Sequence, residues 1–268
     1  MITDILFYSF MQRAIIAGLI LGILLASLGV IATLRKMSFF GEGVAHASLA
    51  GIAVAMLADV APLPIAIIWS VLVALIIYWL ERSTKLHSDT VIGILFTASM
   101  AFGVILMSQT AGYQPELISF LFGSILAIRS IDLYIIGGLA LIIMLWFVPS
   151  IKQLTYLSLS EESATVSGIK TKTQTLLFYI ALSIATVLGV KILGIILVSA
   201  LLILPAATGR LLSKSFKSYF TVSIIISEIT ILLGLFLSYI KDLPSGASIV
   251  LVGTAFFLLA SLLGKAKT

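Results

Sequence analysis

The chain has 268 residues, of which 61% are hydrophobic and only 10% are charged, and its mean hydropathy is +1.25. Soluble domains carry about 25% charged residues and cannot bury so much apolar surface, so the composition excludes a soluble enzyme, a nucleic-acid-binding protein and a disordered scaffold. The formal net charge of +5 is typical of a membrane protein that keeps Lys and Arg on its cytoplasmic loops. The sequence lacks cysteine, which excludes disulfide bonds and thiolate metal sites.

Nine apolar runs are long enough to cross the hydrocarbon layer as helices, which takes about 20 residues each. A tenth run, Leu117–Ile128, is too short to cross comfortably and is predicted to form a re-entrant or interfacial helix. The predicted fold is therefore an all-α membrane helical bundle, with residues 1–268 forming a single transmembrane domain. The predicted spans lie at 14–34, 43–58, 64–80, 91–108, 132–149, 173–190, 193–212, 218–240 and 246–263.

The basic residues indicate how these spans are oriented. If the loop at 150–172 is cytoplasmic, 12 of the 16 Lys and Arg residues lie on the same side as that loop. The remaining four are Arg13, Arg129, Lys191 and Lys241. This excess follows the positive-inside rule and predicts a cytoplasmic C-terminus and an outer N-terminus. The bias weakens if Leu117–Ile128 crosses the membrane, which favours the re-entrant interpretation.

Two polar residues occur at unusual depth near the start of the second span. Arg35 and Lys36 mark the membrane interface, and a helical rise of 1.5 Å per residue then puts Glu42 roughly 9 Å and His46 roughly 15 Å inward. The latter depth is about the middle of a 30 Å hydrocarbon core. Because the two residues are spaced i, i+4, they share one face of the helix.

Glu228 lies in a later span, roughly 16 Å inward from Lys217 by the same rise. A charged side chain costs about 2.5 kcal/mol or more at that depth, so such residues usually face a bundle interior or a polar pathway. With Glu42 and His46 it would supply one imidazole and two carboxylates, a ligand set for a divalent metal such as zinc or manganese. The alternative for Glu228 is a protonated carboxyl group that hydrogen-bonds to a neighbouring helix.

The loop at 150–172 is the longest polar stretch, and its middle part predicts a short helix outside the membrane. Ser158 and Glu161 have the spacing of a capping box with Ser158 as the N-cap, and the adjacent carboxylates suit the positive end of a helix dipole. A glycine further on suits the C-terminal stop. The helix is either an interfacial connector or a docking element for a cytoplasmic partner. The residues of the docking interpretation are Ser158, Glu161, Glu162, Ala164 and Gly168.

Four segments carry a family resemblance that covers nearly the whole chain. They are 38–51, which contains Glu42 and His46, then 159–169, 193–210 and 242–250. In this order they resemble the membrane subunit of zinc/manganese-type ABC importers. The resemblance implies that Glu42 and His46 are pore metal ligands, that Glu228 is a further acidic ligand, and that 159–169 holds the coupling helix. Many relatives have Asp at the position of Glu42.

The resemblance also implies partners. It predicts a homodimer of permeases in the bacterial cell membrane, two copies of a separate cytoplasmic ATPase, and an extracytoplasmic metal-binding protein that delivers the ion. The sequence contains no G-x-x-x-x-G-K-[ST] motif, so we expect a transport subunit that is not itself an enzyme. Zn²⁺ or Mn²⁺ would be the transported substrate, with no permanently bound cofactor and no nucleic-acid partner. The segment Ala-His-Ala-Ser-Leu at 45–49 resembles zinc permeases more than manganese permeases, so the resemblance favours zinc.

A different class of function remains open, namely a secondary, ion-coupled transporter of divalent metals that uses the same carboxylates. Such folds often show inverted repeats and broken helices in both halves. The sequence shows no such symmetry, and this class leaves the predicted loop helix without a role. An intramembrane metalloenzyme would need a richer ligand set, and the chain has no H-E-x-x-H motif.

Overall fold

The computed structural model describes residues 8–84, 86–108 and 128–265. Within these ranges the regular structure is entirely helical, and nine of its ten helices are long and apolar enough to cross a membrane. The all-α fold with nine spans is therefore confirmed. The helices are α1 (Ser9–Leu34), α2 (Phe40–Leu57), α3 (Pro62–Thr84), α4 (Ser88–Ser108), α5 (Ser130–Leu159), α6 (Glu161–Val166), α7 (Thr171–Leu193), α8 (Ile195–Leu212), α9 (Phe216–Lys241) and α10 (Ser245–Lys265).

Each predicted span coincides with one of the nine long helices, and the largest difference is at the end of α5. The sequence predicts an end at residue 149, whereas α5 continues to Leu159 because Leu154 and Leu157 extend its buried face at i, i+3 spacing. Much of the predicted loop at 150–172 is therefore helix. The predicted re-entrant run Leu117–Ile128 lies outside the described residues, except for Ile128.

The centre of the bundle is formed by α1 and α2. In each of them 72% of the apolar window is buried, compared with 22% in α4 and α10, which lie at the periphery. Glycine allows close helix packing at this centre, because a Cβ on Gly29 of α1 would overlap the backbone carbonyl oxygen of Leu202 of α8. The two helices can therefore approach at backbone distance, as small residues allow in membrane bundles.

The connection between α7 and α8 is a single residue, Gly194. Its φ of 80° and ψ of 164° belong to a region that only glycine adopts without strain. The chain can therefore leave α7 at Leu193 and begin α8 at Ile195 with no intervening loop.

Polar contacts identify the two ends of the bundle. At one end, here called the basic end, Arg35 follows α1 and Arg82 lies in the last turn of α3, where its guanidinium forms an ion pair with Glu161 of α6. At the opposite end Lys191 of α7 forms a 2.5 Å ion pair with Asp132 of α5. Helix α6 thus lies at the end that the positive-inside rule predicts to be cytoplasmic.

Candidate functional site

Glu42 and His46 occupy the first two turns of α2 and lie on its open face. The Glu42 side chain is exposed and His46 is half-buried, whereas almost all other residues between Phe40 and Leu49 are buried. Four positions, about one helical turn, separate the two residues. Glu42 and His46 thus lie one helical turn apart on the same side of α2, as the i, i+4 spacing predicts.

The ring of His46 is held on one side by an aromatic contact. The ring of Phe96 on α4 meets it edge-on, with centroids 5.1 Å apart and an interplanar angle of 64°. Its Nδ1 atom is buried and has no hydrogen-bond partner in the described part of the chain. A buried polar atom without a partner costs about 1–3 kcal/mol.

Helix α2 is clamped between α3 and α4 by small residues. Gly43, beside Glu42, lies so close to Ile92 of α4 that a Cβ would overlap it. A Cβ on Gly51 would lie 3.0 Å from the Cα of Ala66 of α3. The first turn of α2 is thus fixed against α4, and the positions of Glu42 and His46 depend on where α4 lies.

Glu228 lies elsewhere, on α9 where it packs against α1. Its Oε1 atom is 2.6 Å from the position a Gly22 Cβ would take, and the adjacent Ser227 hydroxyl donates to the Gly22 carbonyl oxygen at 3.2 Å. Like His46 Nδ1, Glu228 Oε1 is buried without a partner among the residues that the structure describes.

The structure therefore does not bring Glu42, His46 and Glu228 together into one site. Among the described residues no three His, Asp or Glu side chains form a group that could hold a metal ion. The expectation of one three-residue cluster within a single chain is not met, because counting residues from the interface measures depth only. It cannot say on which side of the bundle a side chain lies.

Helix α6 occupies the position of the predicted loop helix, with one correction. Its N-cap is Ser160, whose hydroxyl accepts from the Ser163 N–H at 3.2 Å. The predicted N-cap, Ser158, instead lies in the last turn of α5 and donates to the Leu154 carbonyl oxygen at 2.7 Å. The register differs by two residues because α5 continues to Leu159, so the cap can form only after it.

The remaining predicted residues of α6 have clear positions. Glu161 and Glu162 lie in its first turn, Ala164 is fully buried, and Gly168 at φ 79° follows the helix end at Val166. Glycine supplies this positive φ without strain, so the predicted C-terminal stop is present.

Sequence reasoning missed a polar network at the basic end. The Glu81 carboxylate of α3 accepts hydrogen bonds from Ser88 Oγ at 2.5 Å and from the hydroxyl of Tyr179. Arg35 lies over the Tyr179 ring at 5.9 Å, beside a cavity of about 390 Å³ that Glu81 also lines. The only sequence signal is a carboxylate at the end of a span, and that pattern is also typical of a solvated interfacial residue.

Comparison with known proteins places these features in a family. The manganese transport system membrane protein MntC of Halalkalibacterium halodurans is 33% identical over 257 residues, which cover 96% of this chain and 88% of that protein. The high-affinity zinc uptake system membrane protein ZnuB of Haemophilus influenzae is 31% identical over 247 residues, which cover 92% of this chain and 95% of that protein.

A solved structure has the same fold. A chain of PsaBC from Streptococcus pneumoniae in complex with Fab superposes with a TM-score of 0.85 at 32% sequence identity, covering 97% of this chain and 95% of that one. The ABC 3 transport family matches residues 7–264. With nine helices among the described residues long enough to cross a membrane and this match over almost its entire length, the chain is a multi-pass membrane subunit that belongs to the ABC 3 transport family.

Proposed function

We propose that this chain is the permease subunit of an ATP-binding-cassette importer for a divalent transition metal, and that Glu42 and His46 bind the ion in transit. The observation that carries the proposal is the open face of α2, where an exposed carboxylate lies one helical turn from a half-buried imidazole. Carboxylate oxygen and imidazole nitrogen are ligands that such metals accept. The relatives named for manganese and for zinc support the same substrate class.

For the ion itself we propose zinc ahead of manganese. Imidazole suits zinc, whereas manganese is typically held by carboxylate, carbonyl and water oxygens. The sequence around His46 resembles that of zinc permeases. Uptake of both ions therefore has to be measured side by side.

One chain supplies two of the ligands that a divalent metal needs. Zinc in proteins usually has about four ligands, and two-fold homodimers are the commonest oligomers. A second copy that faces the open side of α2 would add its own Glu42 and His46 and complete a set of four. We therefore propose a homodimer in which the transported ion passes between the two α2 helices.

The proposed importer is driven by ATP hydrolysis and therefore needs further protein partners. The chain has no P-loop, so ATP hydrolysis in this proposal comes from two copies of a separate cytoplasmic ATPase that dock at α6. An extracytoplasmic metal-binding protein would deliver the ion to the opposite end. Glu228 is proposed as a separate acidic position on the pathway, at the contact between α9 and α1.

The deciding experiment is uptake of radiolabelled zinc and manganese by the chain reconstituted into vesicles together with its ATPase. We expect uptake to require ATP, and His46→Ala to abolish it while the complex still assembles. His87→Ala is the matched control, because His87 is an exposed side chain outside the spans, and it should retain uptake. Uptake driven by an ion gradient without ATP would instead identify a secondary transporter.

A further inference from the structure

An exposed ion pair connects α6 to the end of α3. Arg82 Nη2 lies 2.5 Å from Glu161 Oε1, and the two side chains are 31% and 55% exposed. Exposed ion pairs contribute about 0–1 kcal/mol to stability, so this contact is not needed to hold the fold together. The guanidinium also lies over the Tyr78 ring at 5.0 Å, which orients it toward α6.

Glu81, the residue before Arg82, contacts α4 and α7 rather than α6. The Glu81 carboxylate accepts from Ser88, the first residue of α4, and from Tyr179 of α7. Hydrogen bonds to a charged carboxylate are roughly twice as strong as neutral ones. Glu81 and Arg82 therefore tie the end of α3 to three other helices, α4, α6 and α7.

The two helices that hold the hydrogen-bond partners of Glu81, α4 and α7, also contact the turns of α2 that carry Glu42 and His46. On α4, Ile92 and Phe96 lie one and two turns after Ser88 and contact Gly43 and His46. On α7, the Tyr179 ring meets Phe40, the first residue of α2, edge-on at 5.1 Å. These contacts are close-packed, and close-packed interiors have low compressibility and therefore transmit strain.

From these contacts we propose that Glu81 and Arg82 form a coupling joint, in which Arg82 receives the movement of α6 and Glu81 passes it through α4 and α7 to the metal-binding turns of α2. The joint rests on the proposed function, since it presumes that a docked ATPase moves α6. Arg82 and Glu81 are positioning residues: they touch neither the ion nor ATP in this scheme. In this scheme they determine the positions of Glu42 and His46 during the transport cycle.

The test uses the complete reconstituted complex of the chain with its ATPase, with zinc as the probe ion. Zinc uptake per ATP hydrolysed is compared for unmutated protein, Arg82→Glu, Glu161→Arg and the variant that carries both changes. We expect each single reversal to lower uptake per ATP roughly tenfold, within the usual range of coupling free energies. The double reversal restores the ion pair and should restore the ratio.

A second pair of variants tests the inner half of the joint. Glu81→Gln keeps the shape of the side chain but removes its charge, and Tyr179→Phe removes one donor. Both should lower uptake per ATP in complexes that still assemble and hydrolyse ATP, and each should also lower the thermal unfolding midpoint because it weakens a hydrogen bond of Glu81. A contact that only stabilised the fold would move the unfolding midpoint and leave the ratio intact.

A readout independent of transport separates the joint from the proposed function. Because the chain has no cysteine, a single Phe39→Cys variant can carry a fluorophore on an exposed position just before α2. We expect ATP binding to change its emission in the complex, and Arg82→Glu to abolish that change. An unmutated complex that responds to ATP but takes up no metal would overturn the proposed function and leave the joint standing.

The joint itself is overturned by either of two results. One is that the single reversals and Glu81→Gln keep normal uptake per ATP and a normal fluorophore response. The other is that the single reversals lower uptake per ATP and the double reversal fails to restore it. That result would show that coupling does not depend on the ion pair between Arg82 and Glu161.

Discussion

His46 differs from the other side chains of α2 because its ring packs against an aromatic neighbour while one of its ring nitrogens has no hydrogen-bond partner among the described residues. Phe96 holds the ring edge-on, while Nδ1 is buried and has no hydrogen-bond partner in the described ranges of the chain. Metal ligands work best when their orientation is set by neighbours before the ion arrives. Glu42, one turn earlier, is exposed.

Glu228 shows the same combination of burial and a missing partner, but in a different place. We expect Glu228→Gln to lower zinc uptake strongly while leaving the amount of folded protein unchanged, because Gln keeps the packing against Gly22 and removes only the charge. Uptake by vesicles and the thermal unfolding midpoint in detergent measure the two effects. Near-normal uptake would assign Glu228 to helix packing alone.

At the scale of helices, close approach decides which elements are neighbours. Gly18 and Gly22 of α1 both contact Ile231 of α9, so this G-x-x-x-G pair serves packing within the chain. Gly29 on the same helix faces α8, and Gly43 on α2 faces α4. Glycine thus brings α1 and α2 into close contact with their neighbours, and at Gly29 the neighbouring atoms belong to the backbone of Leu202.

The contact between α1 and α8 gives a stability prediction. Gly29→Ala should destabilise the protein by about 1–3 kcal/mol, because the new methyl group overlaps the Leu202 carbonyl oxygen and the helices must separate. Gly138→Ala on α5 is the matched control: a Cβ there meets nothing within 4 Å, and alanine in a helix is favoured by roughly 0.5–1 kcal/mol. Equal unfolding midpoints for the two variants would contradict this account.

Helix α6 gives a prediction about docking. Reversing Glu161 and Glu162 to Lys should weaken binding of the ATPase or uncouple its hydrolysis from uptake, since it changes the charge of the first turn and breaks the ion pair with Arg82. Co-purification of the ATPase and the ratio of uptake to hydrolysis measure the two effects. The control is Lys152→Glu, a charge reversal on α5 at the same end of the bundle, which should preserve both.

At the scale of the whole molecule, the candidate ligands lie on the least enclosed part of a central helix. Most of α2 is buried by α3, α4, α7 and α8, yet the face with Glu42 and His46 remains open. A charged pair at membrane depth is costly when it faces lipid, so this face is expected to meet protein or water. The second copy proposed above would satisfy that requirement and would complete the ligand set.

Ligand sharing between two copies predicts a definite stoichiometry. Equilibrium binding of zinc to the purified dimer should saturate at about one ion per two chains at this site, since each chain supplies only two of about four ligands. His46→Ala should remove this binding, and dilution to monomers should weaken it in parallel. Saturation at one ion per chain, independent of dimerisation, would contradict a shared site.

The sequence by itself determined the properties that depend on position along the chain. Hydropathy marks nine spans because each must supply an apolar stretch as long as the membrane is thick, and Lys and Arg mark the basic end. The i, i+4 spacing of Glu42 and His46 places them on one face because helix geometry is local. The short helix between α5 and α7 also followed from local signals, with an error of two residues in its N-cap.

Only the tertiary structure decided which distant residues meet. Glu81 and Tyr179 are 98 positions apart, and Arg82 and Glu161 are 79 apart, so no local pattern could pair them. Depth along the membrane normal grouped Glu228 with the α2 pair, whereas packing of α9 on α1 separated it from them. The physical reason is the same in each case: rotation of a helix about its axis and the choice of its neighbours depend on side-chain packing between segments, which a one-dimensional pattern does not contain.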